Sequence, residues 1–222
     1  VVDLNGPAAG INDSATYSEQ DPPTPIVAAT AAVTDPDGDQ IASLVATIID
    51  PRNGVAESLS VDTSGVSGVS AAYNPTTGAL TVTGPASVTD MTTVLRSLRY
   101  ANTAENPGTV RQIEVVASDA GSPALSSPVA TIDLTIIAVD DPPELVNNGL
   151  VVAEGQRAAI AAAALRAIDP DTLPAALRFT VTALPTRGVL SVDDVPLVAG
   201  GSFTQADIDA GRVAYTHDGS ET

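Results

Sequence analysis

The residues with chemical potential in this sequence are aspartates, and they come in spaced groups. Residues 35–39 read Asp-Pro-Asp-Gly-Asp, and residues 169–171 repeat the first three letters. Carboxylates at i, i+2 and i+4 of an extended turn point to one side, so Asp35, Asp37 and Asp39 can converge on one hard divalent cation. Gly38 would let the backbone bend until a carbonyl joins them. The same turn has a second reading, in which Asp35 accepts from its own backbone and stays solvated. Asp169 and Asp171 offer a shorter version of both. A third acidic pair, Asp140-Asp141, stands directly before Pro142-Pro143.

Other chemistries find less support. There is no cysteine, which removes disulfides, thiolate catalysis and soft-metal sites. His217, the single histidine, stands near Asp218 and Ser220. That is the composition of a hydrolytic triad, with composition alone to support it. A carboxylate pair for glycoside hydrolysis would need aromatic platforms, and aromatics are only 3% of the chain. Gly54, Gly65 and Gly68 form no phosphate loop. The reading is therefore of a chain that is not an enzyme.

Charge narrows the partners. Against 27 acidic residues there are 9 basic ones, all arginine, for a formal net charge of −18. Nucleic acids and anionic membrane surfaces draw on clustered Lys and Arg and are excluded. No apolar run approaches the roughly 18 residues of a membrane helix. Divalent cations are the natural partner for surplus carboxylate, although acidity also serves solubility.

The elements that must position these acids are strands. In the stretch from Val129 to Gly155, Ile132, Leu134 and Ile136 alternate with Asp133 and Thr135, the period of a sheet with one face buried. Two prolines then bar helix and inner strand alike and force the chain extended. Further strands are expected near 26–33, 43–49, 58–61, 79–82, 112–117, 131–137, 177–182, 189–192 and 213–216, with 158–168 a strand carrying a helical turn. A short helix is expected over 89–98, capped by Thr89, because Met91, Val94, Leu95 and Leu98 stand at i, i+3, i+4 and i+7. Thr204-Gln205-Ala206-Asp207 reads as a capping box with Asp in place of Glu.

These elements recur. Each half opens with a glutamate, Glu19 or Glu154, and reaches its aspartate loop some 15 or 16 residues on. Gly-Ala-Leu-Thr-Val from Gly78 and Gly-Val-Leu-Ser-Val from Gly188 then follow, and each half next has a short capped helix and then a strand ending in tyrosine, Tyr100 or Tyr215. Five elements in one order make a repeat of about 100 residues.

Here specific motifs carry a resemblance. VVASDAGSPALSSPVATIDLTIIAVDDPP resembles the last two strands and exit linker of a cadherin repeat. With LRSLRYANT, the unit 11–143 is similar to the cadherin-like repeats of large bacterial surface and adhesin proteins. VVAEG, LRAIDPD, LRFTVTALPTRGVL and SFTQADIDAGRVAYTHDGSE resemble the chondroitin sulfate proteoglycan repeat, itself cadherin-like. The resemblance implies an all-β fold of tandem Greek-key, immunoglobulin-like β-sandwiches joined end to end by short acidic linkers. Residues 1–10 would be the tail of a preceding domain and its linker, 11–143 one sandwich, and 144–222 a C-terminally incomplete second one.

The resemblance also implies two calcium clusters. Asp35, Asp37 and Asp119 would face Asp3 and Asn5, while Glu19, Asp140 and Asp141 would meet Asp169 and Asp171. Asn102 stands in LRYAN where the family carries an acidic motif. The implied function is a calcium-binding, non-catalytic module that stiffens a multi-repeat adhesion protein, secreted or at the cell surface, with neighbouring repeats or like molecules as partners. The alternative is an accessory spacer of a secreted enzyme whose catalytic domain lies elsewhere.

Overall fold

Alternating side chains build the longest strands. Val110–Asp119 and Ala130–Ile137 each bury every second residue, with Ile113, Val115, Ile132 and Leu134 almost fully enclosed. The computed structural model describes residues 1–221 and divides into two compact units, Val1–Val139 and Asp140–Thr222.

The first unit contains β1 (Val2–Asp3), β2 (Asp13–Ser18), β3 (Thr24–Pro25), β4 (Ala32–Val33), β5 (Ile41–Ile49), β6 (Glu57–Ser60), β7 (Ser70–Asn74), β8 (Ala79–Ala86), α1 (Val88–Arg96), β9 (Arg99–Asn102), β10 (Val110–Asp119) and β11 (Ala130–Ile137). A six-stranded sheet runs β2-β11-β10-β5-β8-β7, and a three-stranded sheet runs β3-β9-β6. One core, including Leu44, Ile113, Leu59, Tyr100 and Met91, takes residues from both sheets and from α1, so the unit is a sandwich. β2 joins β11 in parallel, with Leu134 opposite Ala15 and Ile137 opposite Ser18.

Residues 1–10, expected to be the tail of a preceding domain and its linker, fall within this unit, and the first of them pack into it. β1 pairs antiparallel with β4, and Val2 and Leu4 are fully buried in the core. Two apolar residues spaced by one polar residue suffice to make a core-facing edge strand. The stretch 26–33 is mostly irregular, although Ile26 is buried, because β4 is confined to its last two residues. Helix α1 starts one residue earlier than its apolar pattern suggested. Its cap is Ser87, whose hydroxyl accepts from the Asp90 backbone at 3.1 Å and donates to the Asp90 carboxylate at 2.8 Å. The turn from β7 to β8 passes through Gly78 at φ +68°, where a Cβ would sit 2.7 Å from the Ile48 carbonyl.

The second unit holds β12 (Glu144–Asn148), β13 (Arg157–Ala159), β14 (Leu165–Ile168), β15 (Arg178–Thr180), β16 (Gly188–Val192), β17 (Val195–Pro196), β18 (Ser202–Thr204), α2 (Gln205–Asp209) and β19 (Val213–His217). Its sheets are β13-β19-β16-β17, β12-β14 and β15-β18. The core is small: Ile160, Val181, Phe203, Ile208 and Val213, with Phe179 stacked on Phe203 at 5.3 Å. The alanine-rich run 158–168 is two short strands around a turn, since tertiary pairing outweighs the helix propensity of alanine. The capping box at α2 forms as read, with Thr204 and Asp207 bonding each other's backbone at 2.7 and 3.1 Å.

Candidate metal centre

The parallel ladder between β2 and β11 does not stop at Ser18. The Glu19 N–H donates to the Ile137 carbonyl at 2.9 Å, which carries Glu19 to the exit of β11. There its Oε2 accepts the Val139 N–H at 2.9 Å. Glu19 is only 3% exposed, and its Oε1 has no hydrogen-bond partner. No basic side chain among the described residues forms an ion pair with it. A buried carboxylate oxygen left without a donor is costly, which is the condition a bound cation relieves.

A second carboxylate comes from the loop after β9. Glu105 and Glu19 each present an oxygen, and these lie within 4.8 Å of one another. Two hard anionic ligands at that spacing suit a cation with oxygen preference, and calcium tolerates the irregular geometry of such loops. Glu105 was not visible as a ligand in the sequence. Its one signal is position, three residues beyond the LRYAN strand. Asn102, the residue read as the acid's substitute, is engaged inside the protein. It is 1% exposed, its Nδ2 donates to Asn53 Oδ1 and to the Tyr100 hydroxyl at 3.0 Å each, and its Oδ1 accepts from the Ala104 N–H at 2.9 Å.

At the other end of the first unit, Asp35, Asp37 and Asp119 line one cleft, together with Val1 and Thr34. Asp35 Oδ1 accepts the N–H groups of Asp37, Gly38 and Asp39 at 3.0, 2.9 and 3.3 Å, so one oxygen is spent on closing its own turn. The self-closing reading of this residue is the one the turn forms, and the second carboxylate oxygen takes no part in these bonds. Asp119 Oδ1 likewise accepts from Gly121 at 3.0 Å and Leu125 at 2.9 Å. Asp39 Oδ2 and Asp119 Oδ1 flank Gly121, where a Cβ would fall 2.6 and 3.3 Å from them. The third aspartate of the motif therefore sits over the Asp119 loop.

Asp3 and Asn5 are not brought to that cleft. β1 is antiparallel to β4, with Asp3 opposite Ala32, so the chain from Val1 onward runs away from Asp35. Asp3 Oδ1 instead accepts from Asn5 and Gly6 at 3.2 and 2.9 Å, closing a turn. Asn5 Nδ2 donates to the Ala9 carbonyl at 3.2 Å.

In the second unit, Asp140, Asp141 and Asp169 line a common cleft beside Leu145 and Thr172. The Asp141 N–H donates to Asp171 Oδ2 at 3.0 Å. Asp169 Oδ1 accepts from Asp171 and Thr172 at 2.9 and 2.7 Å, the same self-closing turn as at Asp35. Asp140, Asp141, Asp169 and Asp171, four of the five acids of the second expected cluster, are thus neighbours, while Glu19 belongs to the first unit. His217 does not assemble a triad: its Nδ1 accepts the Gly155 and Gly219 N–H groups at 3.3 and 3.0 Å, and Asp218 is 3.9 Å away. Hydrogen bonds from Ser220, first its hydroxyl and then its backbone, hold Asp218 below the usual carboxylate range. This is a turn network, and the nitrogen that a triad aspartate would orient is already committed.

Residues 143–222 match a family model described as cadherin-like. Over 93 residues the chain is 36% identical to the human FRAS1-related extracellular matrix protein 2, covering 41% of this chain and 3% of that protein. Over 97 residues it is 36% identical to rat chondroitin sulfate proteoglycan 4, covering 43% of this chain and 4% of that one. The chain thus spans a few per cent of the curated relatives it matches. Among solved structures, the protocadherin GammaB4 extracellular domain aligns with 96% of this chain and 29% of its own at 18% identity and a TM-score of 0.32. The curated relatives include extracellular matrix proteins, and an extracellular or cell-surface setting is that of this chain. No helix among the described residues is long and apolar enough to cross a membrane.

Proposed function

We propose that this chain is a calcium-binding spacer of an extracellular adhesion or matrix protein, and that the bound ion stiffens the chain where one repeat ends. The observation that carries the reading is the Glu19 carboxylate: buried, aimed beside Glu105, and left with an oxygen that nothing donates to. Calcium would be held there by Glu19 and Glu105, with further oxygens from carbonyls and water. Its 2+ charge would remove the repulsion between the two carboxylates. Because the other oxygen of Glu19 grips Val139, an ion at this point ties the exit of β11 just before the Asp-Asp-Pro-Pro linker. Without the ion the repelling acids loosen, and the linker moves more freely.

Asp35, Asp37, Asp39 and Asp119 would form a second uptake point at the opposite end of the first unit, and Asp140, Asp141, Asp169 and Asp171 a third within the second. The dissociation constants expected are those of extracellular modules, on the order of 10⁻⁴–10⁻³ M. Calorimetric titration with calcium, and with magnesium as the control, tests the reading. Small-angle scattering in calcium and in chelator reads the mechanical consequence, a narrower distribution of chain dimensions with the ion. Heats and scattering curves identical in calcium and chelator would remove the cation from the account.

A further inference from the structure

The core of the first unit contains a polar network that packing alone does not require. Glu57 is fully buried, Tyr100 likewise, and Arg111 is 5% exposed. Arg111 Nε meets Glu57 Oε1 at 2.5 Å, and the Tyr100 hydroxyl donates to the same oxygen at 2.6 Å. The Arg52 N–H donates to the other oxygen at 3.1 Å. Arg111 Nη2 reaches Asn53 Oδ1 and the Pro107 carbonyl, each at 2.7 Å, and Nη1 reaches the Val110 carbonyl at 2.8 Å. Asn102 joins through the same Asn53 oxygen and the same Tyr100 hydroxyl. Buried ion pairs of this kind seldom stabilise more than an apolar replacement of equal volume, so the network calls for another role.

Its outward bonds indicate one. The loop that carries Glu105 is pinned on both sides, at Ala104 by Asn102 and at Pro107 by Arg111. The loop that carries Glu19 is pinned by Tyr17, whose hydroxyl lies 2.8 Å from the Asp21 carbonyl, 2.9 Å from the Asn102 carbonyl and 3.2 Å from the Asn102 N–H. Both carboxylate loops are therefore tied to one buried residue, Asn102, and through it to Glu57 and Arg111.

We infer that the Glu57–Arg111–Asn102 network, with Asn53 as its bridge, positions Glu105 against Glu19 and so sets the affinity of the cation site. Two carboxylates within 4.8 Å repel in the empty protein, and an exposed loop such as that of Glu105 would relax away unless held. Holding it in advance spares the ion the cost of ordering the loop when it binds. These are positioning residues and do not touch the ion. The inference rests on the cation reading given above, and it concerns only the first unit.

The test uses the full 222-residue chain. Glu57→Leu combined with Arg111→Met replaces both charges, and Asn53→Ala removes the bridge while sparing the ion pair. Glu105→Gln is the control that removes a ligand and leaves the network intact. Three quantities are measured: the melting midpoint in chelator, amide exchange in chelator, and calcium affinity by calorimetry. The double variant should melt near the parent, exchange faster at 103–109 but not in β5 or β10, and bind calcium roughly tenfold more weakly. Asn53→Ala should show a smaller loss of the same kind, and it carries the test if the double variant does not fold. Glu105→Gln should lose affinity with its exchange unchanged. Network variants with parental exchange at 103–109, or with parental affinity where Glu105→Gln has lost it, overturn the inference alone. A parent that binds no calcium overturns the cation reading, and this inference with it.

Discussion

Glu19 Oε2 accepts the backbone N–H of Val139 at 2.9 Å, across 120 residues of chain. The residue after β2 thereby holds the residue after β11, and the oxygen left over is the one without a donor. Glu19→Gln keeps an oxygen for Val139 but removes the charge. At ten times its dissociation constant an ion adds about 1.4 kcal/mol, a rise of roughly 2–5 °C in melting midpoint for a unit of this size. The parent should show that rise in calcium, far less in magnesium, and Glu19→Gln should show none for this site. Equal rises in parent and variant would detach the ion from Glu19.

In the second unit, Asp169→Asn with Asp171→Asn separates charge from turn. Each side chain accepts a backbone N–H through one oxygen, which asparagine retains. The stability in chelator should therefore stay within about 0.5 kcal/mol of the parent's, as for ordinary surface changes. The calcium-induced shift in amide exchange of the 169–172 loop should vanish. A large loss of stability in chelator would mean that the charges themselves support the turn.

Removing one member of the buried pair should be severe. Glu57→Gln leaves Arg111 buried without its counter-charge, and Arg111→Met leaves Glu57 in the same state. Each should cost about 3–5 kcal/mol, whereas Glu57→Leu with Arg111→Met together should cost far less. Urea melts of the three variants check this, and additive single costs in the double variant would contradict it.

Asp207 gives the second unit an acid limit. Hydrogen bonds from Thr204, backbone first and hydroxyl second, outweigh desolvation, and with Arg212 nearby they hold its carboxyl below the usual range. A depressed pKa in the folded state means a contribution that is complete above the unfolded pKa of about 3.9 and lost as pH falls through the folded value. Asp207→Ala should cost about 1 kcal/mol at neutral pH, as for a lost cap. The variant should lose less stability than the parent between pH 5 and pH 3, an interval that spans the unfolded pKa. Parallel curves for the two proteins over that interval would remove Asp207 from the acid transition.

The two units should melt apart. Five buried residues make the core of the second unit, whereas both sheets and α1 contribute to that of the first. Hydrophobic stabilisation scales with apolar area buried. Calorimetry in chelator should show two transitions, the earlier one accompanied by loss of amide protection in β16 and β19. A single transition would mean that the second unit does not melt on its own.

Local patterns determined much of this protein. The period of Ile132, Leu134 and Ile136 specified β11, the spacing of Met91, Val94 and Leu95 specified α1, and Thr204 with Asp207 specified the cap of α2, because each rests on neighbours within one turn or one pleat. The aspartate turns at Asp35 and Asp169 were legible for the same reason: an Asx turn closes on its own backbone. What only tertiary structure decided is which acids share a place. Glu105 meets Glu19 because the β2–β11 ladder and a buried arginine bring two distant loops together, and no short-range pattern encodes that pairing. Asn102 turned inward for the same reason, since a strand-end residue is ligand or brace according to what packs behind it. Asp3 and Asn5 were drawn into the first unit because Val2 and Leu4 lose more by staying in water than a linker gains by leaving them free.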